Sequence, residues 1–402
     1  LVAVVGGGPA GLMAADVLAS SGHRVTVFEK RPGPARKLFI AGSSGLNVSN
    51  SLPLDAFAAH YRSDDDARRS PAEQDRFWRQ LLADFSPKAW LAFLEEGLGQ
   101  RTFEGTSGRY FVESMHAGGM IRAWRRRLTE LGVAWSFGSE LVGFAREGAK
   151  WRLSFAAGDP VVVDALCLAL GGGSYEPEEK PLRWPRILLD HGLAFSPLVA
   201  ANVGLEVAWS EALVKEADGQ PLKNVTLTTR RGKRSGDLVV TSYGLEGTPV
   251  YFVGQVGDAT LDLKPDLSYE QVVARLEKVT ENLAPLRRAK KALNLSPAAL
   301  ALLYHYAKAS EVRLPKALAA LVKAMPLRFE RSRPIDEAIS TAGGLGMGEL
   351  NDDLMIEACP GVFAAGEMLD WDAPTGGFLL QACAAQGFRA GHGVARWLSG
   401  RG

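Results

Sequence analysis

Four residues near the start of the chain have the types and spacing to hold a nucleotide diphosphate. Gly6, Gly8 and Gly11 spell GxGxxG, and Glu29 follows 23 positions after Gly6. A glycine at the first position permits a tight turn after a strand, and one at the second lets the backbone approach a pyrophosphate. The third lets the following helix lie close to the strand. A carboxylate roughly 20 residues further on meets the ribose hydroxyls and repels a 2′-phosphate, which disfavours NADP there. Pro9 opens the helix at a position where its missing N–H has no intrahelical partner, with Ala10 beside it. This stretch alone admits NAD and FAD equally. Other chemistry is scarce. Cys167, Cys359 and Cys383 are far apart in apolar contexts, with no CxxC or HExxH spacing, so free buried thiols are expected and no metal site. No Ser–His–Asp or paired-carboxylate arrangement can be argued from spacing. The catalytic residue is unassigned, and Tyr110, His116 and His305 are the titratable side chains to watch for proton transfer, each with a structural reading beside it.

The elements around the glycines fit a nucleotide fold. Leu1 to Val5 is a short apolar run, as in a parallel strand covered on both faces. Leu12, Ala15, Val17 and Leu18 give a helical face, and Val25, Val27 and Phe28 a second strand ending at Glu29. No further βα unit follows. The segment Lys30 to Asn50 is long and rich in Gly, Ser and Asn, with Arg31, Arg36 and Lys37 as cations. Long connections of this kind are usually functional. Lys30, Arg36, Lys37, Gly42, Ser43, Ser44, Leu46 and Asn47 are therefore placed along an extended cofactor, charges near phosphates and small residues under a flat ring.

Two later stretches belong with them. VVVDALCLALGGG, Val161 to Gly173, reads as another buried strand whose glycine turn brings Gly171 and Gly172 near the cofactor. Val362 to Ala365 is a strand run followed by Gly366 and Glu367, and Gly376, Gly377 and Phe378 begin a helix crossed by glycines. That helix start aims backbone N–H groups and a positive dipole end at what lies before it. In a flavin enzyme this is the pyrimidine edge of the ring, where negative charge gathers on reduction.

Signals at both ends of the chain imply one discontinuous domain, 1–197 plus 334–402, with the middle inserted. Residues 198–265 alternate in short stretches broken by Gly and Asp, the pattern of a β-rich domain. Residues 266–333 carry apolar positions three or four apart, the pattern of a helical subdomain. At 402 residues two or three domains are expected. Net charge is +1, which argues against a protein devoted to coating nucleic acid or an acidic membrane. Basic runs at 125–127, 230–234 and 287–291 keep RNA as a second reading, although no aromatic side chains interleave with them. The apolar start is interrupted by Gly6 and no stretch reaches about 20 apolar residues, so neither a signal peptide nor a membrane span is expected, and the cytoplasm is the default. Oligomeric state is not legible.

GGGPAG, ARKLFIAGSSGLNVSN, GRYFVESMHA (108–117), STAGGLGMGEL (340–350) and FAAGEMLDWDAPTGGFLLQA together resemble the BaiN/YhiN-like flavoproteins, including the aminoacetone-oxidase-like members. The motifs run in the family's order from one end of the chain to the other. The resemblance implies FAD, an α/β fold with a Rossmann-like, two-dinucleotide-binding-type domain, and an inserted β-barrel-like domain followed by helices. It implies an FAD-dependent oxidoreductase passing a hydride or electron pair between flavin and a small organic substrate. NAD(P)H docking transiently or O2 would be the other partner, since no second GxGxxG exists. The rivals are a flavin-dependent reductase of uridine in ribosomal RNA, as some members of that family act on ribosomal RNA, and a flavin-bound regulatory protein without turnover. Two departures mark a divergent branch: Leu46 stands where a GGGRCNVTN-type loop has cysteine, and the TGGYN-type turn reads TGGFL.

Overall fold

The structure is a computed structural model that describes residues 1–42, 45–62, 70–176, 182–279, 283–308 and 312–400. Two compact units emerge, residues 1–199 with 339–402, and residues 200–338.

The first unit is built on a five-stranded parallel sheet. Its order is Val362–Ala364, Ala165–Leu168, Val2–Val5, Val25–Glu29 and Ala134–Phe137. Val2–Val5 and Ala165–Leu168 are buried at every position, which is why each reads as a continuous apolar run rather than an alternating one. The helix Pro9–Ser20 follows the first strand, and the long helix Phe378–Ser399 packs along it. Glycine makes that approach possible: a Cβ on Gly387 would lie 2.2 Å from the Ala10 carbonyl oxygen, and one on Gly391 would lie 2.8 Å from Val17 Cβ. The buried Asp16 of the first helix accepts two hydrogen bonds from Arg127, of 2.7 and 3.0 Å, which fixes the helix Ala117–Glu130 beside it. Two small antiparallel sheets flank this frame. One comprises Leu141–Glu147, Lys150–Phe155 and Val161–Val163, and the other Asn47–Asn50, Arg109–Val112 and Thr102–Glu104.

The second unit holds a six-stranded antiparallel sheet in the order Leu205–Glu206, Gly244–Gly247, Gly232–Thr241, Pro221–Thr229, Gly257–Asp262 and Met325–Phe329. Just past the strand Met325–Phe329, the Glu206 N–H donates to Arg331 C=O at 2.9 Å and the Glu330 N–H to Glu206 C=O at 2.9 Å, tying one edge of the sheet to the chain that leaves the other. Helices over residues 269–323 cover it, and sheet and helices share one apolar cluster that includes Leu227, Val240, Leu276, Leu302 and Val322. Among the described residues no helix is long and apolar enough to cross a membrane.

Candidate cofactor and active site

The first unit carries a cleft at the carboxyl ends of its parallel strands, where open α/β sheets bind ligands. At one end the glycine turn is fixed by packing. Gly6 has φ +108°, and a Cβ there would lie 2.0 Å from the Ala169 carbonyl oxygen; one on Gly11 would lie 2.0 Å from the Gly6 carbonyl oxygen. Gly8 differs, because nothing stands within 4 Å of where its Cβ would be. It borders the cleft and leaves room for a ligand to touch the backbone. Glu29 is nearly buried, with Oε2 accepting from the Gly7 N–H at 2.7 Å and Oε1 from the Arg31 N–H at 2.8 Å. Each carboxylate oxygen has capacity for a further donor, so the side chain is oriented and remains able to accept from a hydroxyl.

Across this chamber Glu176 takes two cations, Lys30 at 3.0 Å and Arg31 at 2.6 Å. Burial pushes the Glu176 carboxyl up, but the Lys30 hydrogen bond and the charges of Lys30, Lys37 and Arg31 outweigh it and hold the group below the usual carboxylate value. Arg36, Ala10, Gly171 and Gly366 also border the chamber, with Gly171 and Gly366 at φ +74° and +87°.

A second chamber continues from the first. Pro9, Lys37, Leu38, Tyr175, Glu367 and Cys383 line both. Lys37 Nζ donates to the Gly172 carbonyl at 2.5 Å, and burial lowers its pKa against the raising effect of Glu367 and Glu176. Burial raises the Glu367 carboxyl, with Lys37 opposing and Asp372 reinforcing the shift. The far walls come from three distant stretches: Gly42, Leu46 and Asn47; Arg109 and Phe111; and Thr375, Gly376 and Gly377. They are stitched together. A Cβ on Gly377, at φ +91°, would lie 2.5 Å from the Ser49 backbone; Ser49 Oγ donates to Gln381 at 2.9 Å, and Asn50 Nδ2 to the Gly376 carbonyl at 3.4 Å. Gly377 provides no side-chain cap to the helix it begins, and Leu379 and Leu380 of its first turn line the chamber.

FAD fits these residues. The groove is open at Gly8, cations stand at its middle, and the uncapped helix start borders the far chamber. Asn47 Oδ1, in that chamber's wall, is buried with no hydrogen-bond partner. A buried acceptor of this kind calls for a donor, and the flavin ring carries one at N3–H.

Most residues expected along a cofactor thus border one of the two joined chambers. Gly11 packs beneath the turn instead. A Cβ on Gly172 would lie 2.0 Å from Thr341 Oγ1, so this residue serves packing and accepts the Lys37 bond. Phe378 is buried against Phe57 and His60, with ring centroids 4.7 and 4.5 Å away, and is no part of the chamber wall. Ser43 and Ser44 lie outside the described residues.

The three proton-transfer candidates border neither chamber. Tyr110 donates to Glu104 at 3.3 Å in a separate shallow groove, and burial together with Glu104 raises its pKa. His116 is exposed at the N-cap of the helix Ala117–Glu130. His305 belongs to the second unit, with Nδ1 3.1 Å from Ser210 Oγ. Arg109, Tyr175 and Glu176 border the cleft and were not singled out by sequence reasoning; Arg31, noted only as a cation of its segment, and Cys383, noted only as a buried thiol, border it too. For Arg109 a signal existed. Successive strand side chains point to opposite faces, so Arg109 and Phe111 share a face that Tyr110 does not.

Of the basic runs, the first is partly consumed by the Arg127–Asp16 pair and by Arg125, which lies over Phe137 at 5.0 Å. The second forms a hairpin tip with Arg234 over Phe252 at 4.0 Å, and the third lies on the helix Pro285–Leu293. All three cysteines are free and buried.

Residues 1–393 match the family described as HI0933-like protein Rossmann domain. A 3-dehydro-bile acid delta(4,6)-reductase of Clostridium scindens is 24% identical over 424 residues, covering 98% of each chain. Among solved structures, a 3-ketosteroid delta1-dehydrogenase from Sterolibacterium denitrificans, in complex with 1,4-androstadiene-3,17-dione, aligns with TM-score 0.54 and 13% identity over 98% of this chain and 99% of that one. A 3-ketosteroid-delta4-(5alpha)-dehydrogenase from Rhodococcus jostii RHA1, in complex with 4-androstene-3,17-dione, aligns with TM-score 0.52 and 16% identity over 98% and 96%. These structural likenesses show a shared fold. The chain belongs to the HI0933-like family and is an FAD-dependent oxidoreductase.

Proposed function

From that family membership we propose that the protein holds FAD across the two joined chambers and works on a carbon–carbon bond conjugated to a carbonyl in a flat, apolar substrate. The observation that carries this reading is the continuity of the cleft from Gly8 and Glu29 to Gly376 and Gly377, through a shared wall. Glu29 would accept from the ribose hydroxyls, while Lys37 and the first helix's N-terminus lie where the pyrophosphate passes. Lys30, Arg36, Gly171, Gly366 and Glu367 would line the cofactor's path, and Gly42, Leu46 and Asn47 the ring. Bound FAD supplies two-electron chemistry at the ring, and the protein supplies position, charge and exclusion of water.

The substrate class is argued from lining and from relatives. Leu38, Ala41, Leu46, Phe111, Ile339 and Leu379 give the ring-end chamber its apolar walls, with Arg109, Asn47 and Thr375 as polar points and Lys37, Tyr175 and Glu367 in the shared wall. Such a pocket suits a flat apolar body with few oxygen functions. The names of the Clostridium scindens reductase and of the two dehydrogenases place their reactions on 3-oxo polycyclic compounds, which supports the same chemistry here. With no second GxGxxG, NADH or NADPH would dock transiently as donor, or O2 would serve as acceptor.

An anaerobic experiment tests this. The FAD-loaded protein is reduced with NADH, NADPH or dithionite and then mixed with 3-oxo-4-ene steroids and smaller enones. Return of the oxidised flavin spectrum with a saturated product is expected. A reduced flavin that every enone leaves untouched, in a protein whose oxidised flavin is bleached by amines, would contradict the carbon–carbon reading.

A further inference from the structure

We infer that Arg109 is the residue that holds the negative charge of the reduced ring, and so sets how readily the flavin accepts electrons. The inference rests on the proposal that FAD lies across both chambers, and deepens it by assigning a role at the ring end.

Three charged side chains border the ring-end chamber among the described residues: Lys37, Glu367 and Arg109. Lys37 and Glu367 sit in the wall shared with the first chamber. Arg109 alone borders only the far chamber. It is placed there by register: Asn50 pairs with Arg109 and Asn47 with Phe111 across two antiparallel strands, and Asn50 also bonds the Gly376 carbonyl. The guanidinium therefore lies against the glycine turn, with Nε 3.8 Å from where a Cβ on Gly376 would stand. The wall of the same chamber also carries Asn47 Oδ1, the buried acceptor without a partner.

This pairing of donor and acceptor matches one edge of the ring. The pyrimidine edge offers N3–H, which Asn47 can accept, next to C2=O and N1, which a guanidinium can donate to. In the oxidised ring that oxygen is neutral. When the ring takes up an electron pair, charge gathers at N1 and C2=O, and the fixed cation then binds the reduced form more tightly than the oxidised one. Arg109 would thus raise the potential, whichever substrate follows.

Sulfite reads this charge without any substrate. Its sulfur lone pair forms a bond to ring N5, the displaced electron pair moves to N1 and C2=O, and no proton or oxidant is needed. FAD-loaded protein is titrated with sulfite while loss of the long-wavelength flavin band is followed, and midpoint potentials are measured alongside. The wild type should take up sulfite. Arg109→Met should keep its FAD and bind sulfite about ten- to a hundredfold more weakly, the loss of one hydrogen bond to a charged group, with a lower potential. Arg109→Lys, which keeps the charge, should recover most of the affinity. FAD-loaded wild type that takes up no sulfite would overturn the inference. So would Arg109→Met that binds sulfite as tightly as the wild type, or Arg109→Lys as weak as Arg109→Met. A wild-type protein that binds no FAD fails the underlying proposal instead, and colour distinguishes the two.

Discussion

The two ends of the cleft are built in different ways. At one end the glycine turn and Glu29 come from the first thirty residues, and the carboxylates there are bonded: Glu29 to two backbone N–H groups, and Glu176 to Lys30 and Arg31. The end at Gly376 draws on three stretches, around residues 42–47, 109–111 and 375–377, the last more than 250 positions from the others; they are stitched by Ser49 and Asn50, and Asn47 Oδ1 is left without a partner. One end is a socket shaped around a local glycine turn, where the proposed cofactor's nucleotide half would lie. The other is an assembled chamber with a buried acceptor that the proposed ring would complete. Binding at the first should depend on local chain geometry, and binding at the second on the packing of the whole unit.

Substitutions can separate these behaviours. The largest effect is expected from Gly6→Val, which needs φ +108° and puts Cβ 2.0 Å from a backbone oxygen. The turn has to move, at a cost on the order of 4 kcal/mol or more, and both FAD and ADP binding should vanish in a titration of the purified variant. Gly377→Ala comes next. Left-handed backbone costs an L-residue about 1 kcal/mol, and the clash with the Ser49 backbone adds to it. If the two ends are separable, this variant retains ADP affinity near wild type while losing FAD affinity. Loss of both in a protein that still melts cooperatively would mean that the ends fold and fail together.

Glu29→Ala should be milder. It removes an acceptor for ribose and leaves the Gly7 and Arg31 N–H groups unpaired, worth about 1–3 kcal/mol, or roughly ten- to a hundredfold in FAD affinity. Unchanged affinity would remove Glu29 from the ribose role. Glu176→Gln should be smallest, because its cations are about a third exposed, at 31% and 34%, and exposed pairs contribute about 0–1 kcal/mol. A few-fold faster FAD release in stopped-flow is expected. The sign with pH follows from its depressed carboxyl. The pair's contribution is full above the ordinary carboxylate value and is lost only as pH falls through the lower folded value. Release should therefore stay slow into mildly acidic solution and quicken below it; a quickening near neutrality would point to another group.

The same contrast explains what was legible in the sequence. Gly6, Gly8, Glu29 and the strands around them could be read because their partners are near in the chain and glycine at a tight turn has few substitutes. Gly376 and Gly377 were readable for the second reason. Tyr175 and Glu176 were not, because each becomes part of the cleft only through contacts with residues distant in sequence; for Arg109 the strand alternation gives a face shared with Phe111 but not which face meets the cleft. Tyr110 illustrates the difficulty: it has the chemistry of a proton donor, and one step of strand alternation places it in the other groove. Gly172 and Phe378 also lie within the right motifs, yet packing against Thr341 and Phe57 is what uses them.

The central claim is that one FAD lies across both chambers, and a titration of flavin-free protein with FAD, with and without ADP, tests it most directly. The account predicts uptake of one equivalent, the two-banded spectrum of oxidised flavin, and competition by ADP for the end at Gly8 and Glu29. A protein that remains colourless with added FAD, or binds FAD with an affinity ADP does not change, would contradict it.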